Sequence, residues 1–109
     1  MNHFDFGQVV LLKFPFTDGR KSKKRPAVVI KDIGDDDLLL ARITSQMSTS
    51  KYDLELVDWD SARLKLPSII RTCKIASIEK TLVDRQLGKL SDSDLVKFKE
   101  KIRALVDNL

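Results

Sequence analysis

The 109-residue chain has one cysteine, Cys73, and one histidine, His3. A single cysteine excludes an internal disulfide framework and a cysteine-based zinc cluster. A single histidine leaves no Ser-His-Asp or Cys-His triad unless His3 itself serves, and so close to the terminus it reads as a mobile residue. No apolar run approaches the ~18–20 residues that a bilayer-crossing helix needs. Residues 1–6 lack the charged-then-apolar pattern of a secretory signal, so the expected compartment is the cytoplasm. There is no internal repeat, linker or low-complexity tract. The hydrophobic share is 42%, enough for a buried core, and the length fits one domain over residues 1–109.

Charge is plentiful and uneven. Twenty basic and sixteen acidic residues give a net charge of +4. Residues 1–31 carry seven Lys/Arg against two Asp/Glu, residues 32–62 two against eight, and residues 63–109 eleven against six. The densest stretch, Arg20-Lys21-Ser22-Lys23-Lys24-Arg25, holds five cations in six residues. Such a cluster attracts polyanions, because Lys and Arg that neutralise phosphates dominate nucleic-acid affinity. The competing reading is a solvated loop that keeps a small protein soluble.

Periodicity predicts several short antiparallel strands. Gln8–Phe14 is β-branched and apolar; Thr17-Asp18-Gly19 signals a turn, the basic run extends a polar loop, and Pro26 opens a second strand through Lys31. Leu38–Ile43 is the third, and Thr44–Ser50 reads as a hydroxyl-rich loop. Tyr52–Val57 alternates as a half-buried strand does. A helical turn is expected over Trp59–Leu64, with Trp59 a packing residue, then strands at Ser68–Arg71 and Lys74–Ile78. Leu95, Phe98, Ile102, Leu105 and Leu109 recur at helical spacing behind Ser91 as N-cap, with Asp92 and Asp94 in the first turn. The expected fold is mainly β: a small SH3-like barrel of antiparallel strands with a short helical insertion and a C-terminal amphipathic helix.

Several positions carry candidate chemistry, each with a plainer alternative. Arg25, where the basic run meets a strand, suits bidentate phosphate binding or pairs with a surface carboxylate. The hydroxyls of Thr44 and Ser45, with Gln46, either donate to a phosphate or make ordinary turns. Arg71 projects from a sheet or snorkels to solvent. Cys73, beside Lys74, is a thiol of lowered pKa or simply a small buried residue.

In order along the chain, four motifs resemble those of the MazF/PemK toxins. Gly7-Gln8-Val9-Val10-Leu11-Leu12, Phe14-Pro15-Phe16-Thr17-Asp18 and Lys24-Arg25-Pro26-Ala27-Val28-Val29-Ile30 match the N-terminal signature. Ile43-Thr44-Ser45-Gln46 resembles the second motif, and Pro67-Ser68-Ile69-Ile70-Arg71 the third. Leu87-Gly88-Lys89-Leu90-Ser91 matches the lead into the terminal helix. The resemblance implies a homodimeric endoribonuclease that cuts single-stranded RNA without a metal or cofactor, and a cognate antitoxin whose acidic tail fills the RNA groove. It implies catalytic roles for Arg25, Thr44 and Arg71, and RNA contacts from Phe16, Thr17, Asp18, Lys23, Lys24, Ser45 and Gln46. Many relatives carry an aspartate, used as a base in some mechanisms, two residues after the third-motif arginine. Here Cys73 stands there, and Asp18 or a positioned water are the alternatives. That departure motivates a rival reading, a catalytically weak or silent RNA-binding barrel; a module whose basic groove serves an acidic partner peptide is the other.

Overall fold

The computed structural model describes residues 3–15, 22–47 and 50–109. Six antiparallel strands form one sheet: β1 (Gln8–Pro15), β2 (Ser22–Lys31), β3 (Asp37–Thr44), β4 (Asp53–Glu55), β5 (Ile69–Glu79) and β6 (Val83–Lys89). Their order is β4-β5-β3-β2-β1-β6, and the final helix α1 covers Asp92–Asp107. β4 and β6 do not pair, so the sheet curls into a small barrel-like fold without closing.

Both sides of the sheet bury apolar residues, which is why its central strands read as nearly continuous apolar runs rather than alternations. On one side Val9, Val28, Ala41, Ile43, Ile70 and Phe98 make the larger core. On the other, Val10, Leu12, Val29, Leu38 and Leu40 pack with Phe4. Phe98 is fully buried and stacks on Phe6, with ring centroids 5.4 Å apart. Ser91 caps α1 by accepting the Asp94 N–H at 3.2 Å. The stripe expected on this helix buries Phe98 and half-buries Leu95, Ile102 and Leu105, whereas Leu109 lies beyond the helix end and is exposed.

The structure departs from the sequence expectation in five elements. β2 begins at Ser22, so Lys23, Lys24 and Arg25 are strand residues opposite Phe14, Lys13 and Leu12, not loop residues. The strands expected at Ser68–Arg71 and Lys74–Ile78 are one long strand, β5. A register shift between Ala41 and Arg42 of its partner β3 absorbs the polar segment between them. The Tyr52–Val57 strand shrinks to the three residues of β4. Over Trp59–Leu64 there are consecutive turns, closed by Ser61 N–H to Asp58 O, Arg63 N–H to Asp60 O and Leu64 N–H to Trp59 O, rather than a helical turn. Finally β6 has no counterpart among the expected strands. Its Asp84, Arg85 and Gln86 interrupt any alternation, and pairing with β1 alone makes it a strand.

Two buried carboxylates tie these pieces together. Asp32 accepts the N–H groups of Phe4 and Gly34 and the Lys80 ammonium, each at 2.9 Å. The Lys80 hydrogen bond first, then those two backbone donors, hold its carboxyl well below the usual aspartate range against the opposing effect of burial. His3 Nδ1 lies 3.4 Å from the same carboxylate. Asp94, fully buried, accepts the N–H groups of Val57 at 3.2 Å and Asp58 at 2.8 Å, joining α1 to the start of the 58–66 turns.

Candidate nucleic-acid interface

The β2–β3 ladder begins only at Ala27 and Arg42. Were it to continue two residues further, Arg25 would stand opposite Thr44. Pro26, which has no N–H to give to a ladder, sits at this parting. Beyond it the two strands separate around a cleft of about 490 Å³ whose lining includes Arg25, Pro26, Thr44, Ser45 and Gln46.

Five cations line this cleft: Arg25, Arg42, Arg63, Lys65 and Arg85. Among the described residues no carboxylate lines it. Among the described residues none of the five is in an ion pair, whereas Lys13, Lys24, Arg71 and Lys80 each have an acidic partner. Like charges gathered in one concavity repel one another and concentrate a positive potential there, which an anionic ligand relieves. Thr44 Oγ1 accepts the Gln46 N–H at 3.2 Å, the ordinary turn bond. A hydroxyl that accepts in this way keeps its own hydrogen to donate, so the turn and a phosphate contact are compatible.

The other expected site residues fall elsewhere. Lys24 follows the strand period onto the face opposite Arg25, where its ammonium lies 3.2 Å from Asp84. Lys23 is described by its backbone only, opposite Phe14. Phe16, Thr17 and Asp18 lie outside the described residues. Arg71 stands directly opposite Arg42 on β3 and Asp53 on β4 and does not line the cleft. Its Nε donates to Asp53 Oδ1 at 3.1 Å, while the other Asp53 oxygen is buried without a partner. Cys73 is exposed rather than buried, on the stretch of β5 that faces solvent. Among the described residues no three His, Cys, Asp or Glu side chains gather as a metal site would require. Nor is any helix there long and apolar enough to cross a membrane.

Arg42, Arg63, Lys65 and Arg85 had no signal in the sequence. They are scattered over β3 (Arg42), the 58–66 turns (Arg63 and Lys65) and β6 (Arg85), and only the curl of the sheet brings them together. For Arg63, Lys65 and Arg85 the clue was the excess of basic over acidic residues beyond position 62, spread too thinly to mark a site; Arg42 lies in the acidic segment and had none.

The model for PemK-like, MazF-like toxins of type II toxin–antitoxin systems matches residues 5–106. No curated protein matches significantly. Among solved structures, a mycobacterial endoribonuclease in complex with its cognate antitoxin superposes with a TM-score of 0.77 at 14% identity, covering 96% of each chain. MazE–MazF from Deinococcus radiodurans gives 0.74 at 19% identity, over 94% of this chain and 95% of the other. Mycobacterium tuberculosis toxin MazF-mt6 gives 0.72 at 19% identity, over 92% and 96%. At such identities these likenesses establish a shared fold. The family match spans nearly the whole chain: this protein belongs to the PemK-like, MazF-like toxins of type II toxin–antitoxin systems.

Proposed function

We propose that the protein is a metal-independent endoribonuclease that cleaves single-stranded RNA at short sequences. The observation that carries this reading is the cleft that Thr44 lines together with five cations, none with an acidic partner among the described residues. The solved relatives described as endoribonucleases support it. In the proposed reaction the ribose 2′-OH attacks its own 3′-phosphate, forming the 2′-O–P bond and breaking the bond to the 5′-oxygen. The products are a 2′,3′-cyclic phosphate and a 5′-OH, a positioned water taking the 2′-OH proton and solvent returning one to the 5′-oxygen. Arg25, with Arg42 beside it, stabilises the charge that grows on the non-bridging oxygens, and Thr44 donates a hydrogen bond that fixes the phosphate. Fixed donors aimed at developing charge are commonly the largest catalytic contribution. Arginine stays protonated at pH 7 and does not serve as the base. Arg71, paired with Asp53 and outside the cleft, has no direct role at the phosphate in this reading.

The same reading has the protein act in the cytoplasm as a homodimer, restrained by an antitoxin whose acidic tail occupies the cation-lined cleft. Two solved relatives are toxin–antitoxin complexes, and the charge of the cleft suits an acidic segment. A catalytically silent RNA-binding barrel is the second reading. It is favoured by Cys73 at the position of the family aspartate and by the placing of Arg71 outside the cleft.

Incubating the purified protein with a long single-stranded RNA in EDTA separates the two. Cleavage at recurring short sequences, with 2′,3′-cyclic phosphate and 5′-OH ends and no cutting of the same sequence as DNA, is the expected result. Bound but intact RNA selects the silent barrel.

A further inference from the structure

The turn that carries Arg63 is held more tightly than a surface connection requires. Arg63 has a φ of 64°, the one positive value among the described non-glycine residues. In that left-handed conformation the β-carbon crowds the backbone, so glycine or asparagine is the comfortable occupant. The surroundings enforce it. Arg63 N–H donates to Asp60 O at 3.0 Å and Ala62 is fully buried. Gly88 of β6 approaches so closely that a β-carbon there would lie 2.9 Å from Arg63 Cγ and 3.0 Å from the Ala62 carbonyl. At the start of the turn, Asp94 of α1 binds the Val57 and Asp58 N–H groups. The segment is clamped between β6 and α1.

What this clamp presents is a guanidinium on the wall of the cleft, without an acidic partner among the described residues. Stability of the fold supplies no reason for arginine at a left-handed position. We propose that Arg63 is an RNA-binding residue, set in its turn to grip a backbone phosphate flanking the one held by Arg25 and Thr44. This inference rests on the reading of the cleft as an RNA site.

The test uses the full-length protein and a mixed-sequence RNA oligomer with 2′-O-methyl riboses, which 2′-OH attack does not cut. Affinity is measured over a range of salt for wild type, Arg63→Gly, Arg63→Asn and Lys97→Gln. Lys97, on α1 and outside the cleft, controls for the loss of one positive charge. Relief of the left-handed strain is expected to leave the melting midpoint of Arg63→Gly unchanged or to raise it by about 4 °C. Its affinity is expected to fall by about fivefold near 0.1 M salt. The slope of log K against log salt is expected to shrink by about 0.7, the share of one phosphate on a single strand. Arg63→Asn should behave alike, and Lys97→Gln should keep the wild-type slope. Wild-type affinity and slope in both Arg63 variants, with RNA still bound by the wild type, overturn the role of Arg63 alone. An equal loss in Lys97→Gln reduces it to bulk charge and overturns it too. A wild-type protein that binds no RNA overturns the reading of the cleft, and the inference with it.

Discussion

Lys24 and Arg25 are neighbours in the chain and point to opposite faces of β2. Strand alternation sends one to Asp84 of β6 and the other into the cleft, so a charge run that looks uniform divides into a half paired within the fold and a half that faces the cleft. The same distinction separates Arg71, held by Asp53, from Arg42 directly opposite it, which has no partner among the described residues. Asp32 is the clearest case of a residue engaged in holding the fold. Its carboxyl titrates below the ordinary value of about 3.9 because Lys80, Phe4 and Gly34 donate to the ionised form. Its contribution to stability is therefore fully present above that ordinary value and is lost as pH falls through the lower folded one. Melting curves between about pH 6 and pH 2 should show stability falling below about pH 4. Asp32→Asn should be less stable than wild type at neutral pH and show a smaller acid dependence. A variant with the wild-type acid profile would place the sensitivity in another carboxylate.

At the scale of elements, the cleft exists because β2 and β3 stop pairing at Ala27 and Arg42, and because β6 and the 58–66 turns close around the gap. Gly88 is the contact on which that closure depends, since both Ala62 and Arg63 lie where its β-carbon would go. Gly88→Ala is expected to cost about 1–3 kcal/mol through overpacking, read as a lower urea midpoint, and to weaken RNA binding by displacing Arg63. Unchanged stability and binding would show that the turn yields freely. The apolar strands β1 to β3 and the helix were legible in the sequence, because hydrophobic periodicity reports burial directly. β6 was not, because an edge strand carrying Asp84, Arg85 and Gln86 owes its form to β1 rather than to its own pattern. The start of β2 was hidden for a related reason: cations are as compatible with an exposed strand as with a loop.

For the molecule as a whole, Arg25, Thr44, Ser45 and Gln46 were readable as candidates in the sequence, and the fold brings them to one cleft. The cations that complete its lining were not readable, because their proximity is made by long-range pairing and leaves no local spacing. The net charge of +4 understates the consequence. Asp84, Asp53 and Asp32 pair with Lys13, Lys24, Arg71 and Lys80, while the five cations of the cleft have no acidic partner among the described residues, so positive charge collects in one concavity. The central claim is that a phosphodiester sits in that concavity and is cleaved there by Arg25 and Thr44. The most direct measurement is the single-turnover rate of cleavage of one RNA by wild type, Arg25→Ala and Thr44→Ala, with melting midpoints confirming the fold. A loss of about 100-fold or more in each variant, with the fold intact, is the result the account predicts. Rates near wild type in both variants would contradict it.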